Sequence, residues 1–148
     1  MADTIREQII SAYETQLASW KTSNGYNIGC GANVFRAVQH VDPDALPAVV
    51  INPRSEEVTQ RYGVNVCEMV LQINAFAEIG TTNQSVIQEQ LLGDAIKIMS
   101  GAVSSKTKSV IYKAGGPAQV PIDEDTITAV FAEFTVTYNT LAGDPYSQ

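Results

Sequence analysis

Residues 64–79 read VNVCEMVLQINAFAEI, and this stretch decides the fold. Cys67, Met69, Leu71, Ile73, Ala75, Ala77 and Ile79 place an apolar residue at every second position. Between them Val66, Glu68, Val70, Gln72, Asn74, Phe76 and Glu78 form a mixed series. A period of two is that of a strand with one buried face. At about 3.3 Å per residue such a strand runs roughly 50 Å, well past the usual five or six residues. A strand of that length is expected to overhang a small domain and to pair or pack outside its own fold. Val66, Val70 and Phe76, set among polar neighbours, are expected to form a contact that a second subunit covers.

Upstream, Ile5, Ile9, Tyr13, Leu17 and Trp20 recur at helical spacing, which predicts an amphipathic helix over 3–20 with Asp3 as its cap. Asn24-Gly25 and Gly29-Cys30-Gly31 break it. A loose alternation over 32–40 predicts a first strand, and Asp42-Pro43-Asp44 with Leu46-Pro47 a return. A short β-branched second strand follows at 48–52, then a charged loop or hairpin tip at 53–63.

Downstream, Ile87, Leu91, Ala95, Ile98 and Met99 predict a second helix over 84–100, capped by Asn83 or Thr82. Gly93 costs that helix about 1 kcal/mol against alanine, and its small size would allow close approach to the sheet. Residues 101–124 read as an irregular, mobile arm with at most a brief strand at 110–112, since Gly115-Gly116-Pro117 and Pro121 interrupt it. Val130, Ala132, Phe134, Val136 and Tyr138 then predict a last strand over 126–140, and residues 141–148 a short tail.

The expectation is one α+β domain spanning 1–148. Short connections make the first three strands an antiparallel meander. A fourth, C-terminal strand joins it, and two helices cover one face.

Composition narrows function by exclusion. The chain has 148 residues, 45% of them hydrophobic, which fits a folded domain with a real core. Its net charge of −7 argues against general affinity for nucleic acid or an anionic membrane. No apolar run approaches a membrane span, and the acidic start lacks the pattern of a secretory signal. Cys30 and Cys67 make no disulfide framework and read as free, buried thiols of a cytosolic compartment.

Candidate chemistry is sparse. His40, followed by Asp42 and Asp44, has the makings of a base, but no nucleophile is visible beside it. Cys30, between two glycines, is a candidate exposed nucleophile with nothing cationic near it in sequence. Cysteine and histidine spacing offers no metal site, and no cofactor is expected. Asp123-Glu124-Asp125 has the charge for a divalent cation but lacks the glycine and the terminal glutamate of a calcium loop, so a solvated turn is the plainer reading. Gly29-Cys30-Gly31 precedes a strand and offers phosphate no helix N-terminus. Lys106, Lys108 and Lys113 form the basic cluster: a solvated arm, or a contact with an acidic partner surface or DNA.

Three stretches carry a family resemblance. They are Ala32-Asn33-Val34-Phe35-Arg36-Ala37 with Leu46-Pro47-Ala48-Val49-Val50, the long strand leading into Gln90-Leu91-Leu92-Gly93-Asp94-Ala95, and Phe134-Thr135-Val136-Thr137-Tyr138-Asn139-Thr140 before Gly143-Asp144-Pro145. With the order of elements, they resemble the tail terminators of tailed bacteriophages (tail completion proteins, minor tail protein U-like). The resemblance covers most of the chain. It implies a small α+β subunit that assembles into a ring, usually a homohexamer, at the head-proximal end of the tail tube. Such a ring ends tube growth, offers a surface to the head connector, and lets DNA pass through its lumen without specific binding. It implies a virion protein assembled in the host cytoplasm, with no catalytic residues. Other neck or connector ring proteins and tail-tube subunits share this biology. A small cytosolic enzyme using Cys30 or His40 is the rival from another class.

Overall fold

The computed structural model describes residues 2–38, 41–101, 104–118 and 126–148. It is an α+β fold: two helices on a five-stranded mixed sheet of order β1-β2-β3-β5-β4. The strands are β1 (Val34–Arg36), β2 (Ala48–Arg61), β3 (Val64–Glu78), β4 (Thr107–Ala118) and β5 (Ile127–Leu141). The helices are α1 (Ile5–Leu17) and α2 (Gln84–Met99).

β3 is the spine, but it does not overhang. It pairs antiparallel with β2 from Val64 to Phe76 and with β5 from Val64 to Glu78. Its length is used inside its own sheet, contrary to the expectation from sequence.

The covered face follows the period-two pattern. Met69, Leu71, Ile73 and Ala75 of β3 meet Val130, Ala132, Phe134 and Val136 of β5 and the stripes of both helices in one core. α2 lies over β5, β3 and β4, and α1 sits beside it over β1 and β2. Ile5, Ile9, Tyr13, Leu17 and Trp20 are all buried, as the helical spacing requires. Thr4, not Asp3, caps α1: its hydroxyl accepts from the Glu7 amide at 3.0 Å. Asn83 caps α2, accepting from the Ser85 amide at 2.9 Å.

Three further expectations are corrected. First, β1 pairs parallel with β2, so the first three strands are no meander. Asp42 caps a 3-10 turn at Pro43–Ala45, and the connection from Ala37 to Pro47 is long enough to return the chain to its starting end. Second, β2 does not stop at Asn52. A register break between Pro53 and Glu56 is followed by renewed pairing as far as Arg61–Val64, so of the two readings of the polar stretch the hairpin holds and the loop does not. Third, residues 107–118 are a twelve-residue edge strand, not an irregular arm. An edge tolerates Pro117, whose missing N–H costs no ladder bond on the open side. Asp123-Glu124-Asp125, Pro121 and His40 lie outside the described residues.

The hairpin turns at Tyr62 and Gly63 with φ of 50° and 78°. Positive φ at both positions suits the right-handed twist of the flanking strands. Residues 141–148 fold back: the Leu141 amide donates to the Ser147 carbonyl at 2.9 Å, and the Ile5 amide to the Pro145 carbonyl at 2.8 Å. The tail thereby ties the end of β5 to the start of α1.

Candidate subunit interface

Both helices lie on one side of the sheet, so the opposite side carries the mixed series. Val66 and Val70 are half-buried there, as are Thr135 and Thr137 of β5. Phe76 is different. It is only 7% exposed and packs with Ala48, Val50, Ala129 and Val41, against Phe35, Leu46 and Ala118. Residues 41–46 fold over this end and supply the cover expected from a neighbour. Phe76 therefore belongs to a small second core of its own chain, and the open part of the face lies around Val66 and Val70.

Next to Val70 is a hollow of about 210 Å³ lined by Ser55, Glu57, Glu68, Val70 and Thr135. Glu57 and Glu68 stand directly opposite one another in the β2–β3 register. Like charges in directly opposed positions destabilise a sheet. The ion pairs among the described residues are Arg6–Glu56, Arg36–Glu7 and Arg36–Glu14, so neither Glu57 nor Glu68 has a cation at pairing distance.

Lys108 and Lys113 sit on β4, across β5 from the valines, and Lys106 in the turn that leads into it. Lys106 is half-buried, its amide donating to the Ser104 hydroxyl at 3.2 Å, while Lys108 and Lys113 are exposed. Lys108 falls in the register break between Thr107 and Ser109, and Lys113 in the break between Tyr112 and Ala114. Bulges and lysines are the usual guards of a sheet edge against unselective pairing. The six candidate interface residues thus divide into an open-face pair, a basic edge, and Phe76, which is internal.

The thiol reading resolves in structural terms. Cys30 is fully buried, and its thiol is pushed well above the ordinary range, first by desolvation and then by the charge of Asp94. A protonated, enclosed thiol is a poor nucleophile. Gly31 explains the glycines: a side chain there would meet the Ala18 carbonyl at 2.6 Å and the Trp20 carbonyl at 2.8 Å. The loop passes backbone against backbone at that point.

Asp94, which the sequence reading passed over, is 3% exposed and fixes this loop. It accepts from the Trp20 indole at 3.2 Å, the Asn27 amide at 3.0 Å, the Asn27 side chain at 3.1 Å and the Ile28 amide at 3.0 Å. A buried carboxylate with this many donors is satisfied in place. A lone acidic residue within an apolar helix stripe was the available signal.

A second polar group lies under the start of α1, in a hollow of about 200 Å³ lined by Arg6, Glu56, Cys67, Tyr138 and their neighbours. Glu56 accepts from Arg6 at 3.1 Å and from the Tyr138 hydroxyl, and Arg6 also donates to the Arg54 carbonyl at 2.7 Å. Burial raises the Tyr138 phenol and the Cys67 thiol, and Glu56 raises both further. Both groups are held protonated. The arrangement braces α1 against the register break of β2.

Among the described residues no three His, Cys, Asp or Glu side chains are placed to hold a metal ion, and no helix is long and apolar enough to cross a membrane. No protein-family model matches the chain, and no curated protein matches it.

Proposed function

We propose that this chain is a structural ring subunit of the tail-terminator type. Copies of it would close a ring, a homohexamer on the family resemblance, at the head-proximal end of a phage tail tube. The ring ends tube polymerisation on one side and presents a surface to the head connector on the other. The observation that carries this reading is the one-sided build of the molecule. Both helices cover a single face of a long sheet, which leaves the part of the other face around Val66 and Val70, and two strand edges, free among the described residues. A ring subunit needs two unlike contact surfaces for its neighbours and further surface for the rings above and below.

The acidic balance supports the same reading. A lumen through which DNA slides must not hold phosphate, and a chain of net charge −7 is suited to that. The expected chemistry is contact alone, with no metal, cofactor or membrane. The test is an infected culture in which the reading frame is interrupted. Tails over-long or unattached to heads are the expected result. Attached tails of normal length, with the chain absent, would refute the assignment.

A further inference from the structure

Two strand edges of this sheet are open, and they differ. β1 pairs with β2 only at Val49, Val50 and Ile51, so from Ser55 to Arg61 the outer side of β2 has no strand partner among the described residues. At the other end of the sheet, β4 pairs among the described residues with β5 alone. A bare edge presents a row of backbone donors and acceptors that a strand from another chain can complete.

We propose that copies of this chain join edge to edge, residues 55–61 of β2 in one copy adding to the outer edge of β4 in the next. The inference rests on the ring reading above and names its subunit contact. Charge selects this pairing. A β4 edge set against a second β4 edge brings Lys108 and Lys113 against the same two lysines. Set against residues 55–61 of β2, a lysine of β4 meets Glu57, with Glu68 one strand further in, and the other lysine lies clear of Arg61, which the same segment carries. The opposed Glu57–Glu68 pair, unfavourable in the isolated chain, gains the cation it lacks. The guards on β4 thus reject self-pairing and admit one partner, the combination by which interfaces acquire specificity. Because the two edges are unlike, the contact is head to tail. Head-to-tail contacts close into rings when the rotation per step allows. The open face then becomes continuous from copy to copy.

The experiment is a charge swap read by native mass measurement at low ionic strength, where such attraction is least screened. One variant carries Lys108→Glu with Lys113→Glu, and the other carries Glu57→Lys with Glu68→Lys. All four side chains are exposed, so both variants are expected to fold, with circular dichroism as the check. The wild-type chain should form rings, each variant alone should lose them, and an equimolar mixture should regain rings of alternating chains. A variant that assembles alone like the wild type, or a mixture that stays monomeric, overturns the edge contact and leaves the ring reading standing. A wild-type chain that never exceeds monomer mass overturns both. In wild-type rings, amides within 55–61 and 107–118 should exchange at least tenfold more slowly than in the monomer. Unchanged exchange there, with rings present, also rules out the edge contact.

Discussion

The two faces of β3 are built from the same fifteen residues and have opposite fates. On the covered face Met69, Leu71 and Ile73 are sealed under the helices. On the open face Val66 and Val70 sit half-buried beside Glu68 and Gln72. The first face holds the main core together, and the second is covered only at its Phe76 end. The difference teaches that alternation in a sequence reports which face is covered, and does not say whether the chain's own loops or another subunit does the covering. Phe76 is the case in point. Its register places it with Val66 and Val70, but its burial places it with the core.

Substitutions can break this comparison where it is strongest. Leu71→Ala, which empties part of the main core, should cost about 2–5 kcal/mol in denaturant unfolding. Phe76→Asp should be comparable or worse, because it buries a charge with no partner in an apolar cluster. Val70→Ala on the open face should cost under about 1 kcal/mol in the isolated chain. A Phe76→Asp chain as stable as wild type would mean that the second core is not sealed.

The legible parts of the fold were those with a buried side. β3, β5 and both helices announced themselves because helices or a sheet face bury them, and burial leaves a period. The far half of β2 left none, and β4 left only the brief strand read at 110–112. Ser55–Arg61 and Thr107–Ala118 are held largely by backbone pairing at the margins of the sheet, where most side chains meet water and only a few, such as Val110, pack against the core. Their residues are therefore free to be polar, glycine or proline, and they read as loops. The parallel β1–β2 pair was hidden for another reason: Asp42-Pro43-Asp44 carries the residues of a tight turn but serves as one corner of a longer return. Of the candidate interface, Val66 and Val70 and the lysines were found at accessible places. The pairing of Glu57 with Glu68 was out of reach, because it depends on a register set after an irregularity at Pro53–Glu56.

A smaller effect tests how the covered side is fastened. Arg36 of β1 donates to Glu7 of α1 through both of its terminal nitrogens, at 2.7 and 2.6 Å. The hydrogen bonds from Arg36 hold the Glu7 carboxyl below its ordinary value of 4.5, despite some desolvation. A depressed carboxylate stabilises the fold above its unfolded pKa, and that stability is lost as the pH falls through the folded value. Each side chain of the pair is 34% exposed, so solvent screening limits the gain to about 0.5–1 kcal/mol. Glu7→Gln should lower stability by that amount at pH 7, with the gap closing below about pH 4. Equal pH profiles for the two proteins would remove this pair from the account.

The smallest effect runs the other way. Gly93 does not bring α2 closer to the sheet: it is exposed, and a side chain there would meet nothing within 4 Å. Gly93→Ala should therefore raise stability by about 0.5–1 kcal/mol in thermal or denaturant unfolding, without altering assembly. A destabilised variant would mean that the outer side of α2 is more crowded than its geometry indicates.

We propose that this sheet serves as the wall of a ring between tail and head. Electron microscopy of particles carrying a labelled copy of the chain tests it most directly. The account predicts a single ring of density at the head-proximal end of the tail tube. Label distributed along the tube, or its absence from assembled particles, would contradict it.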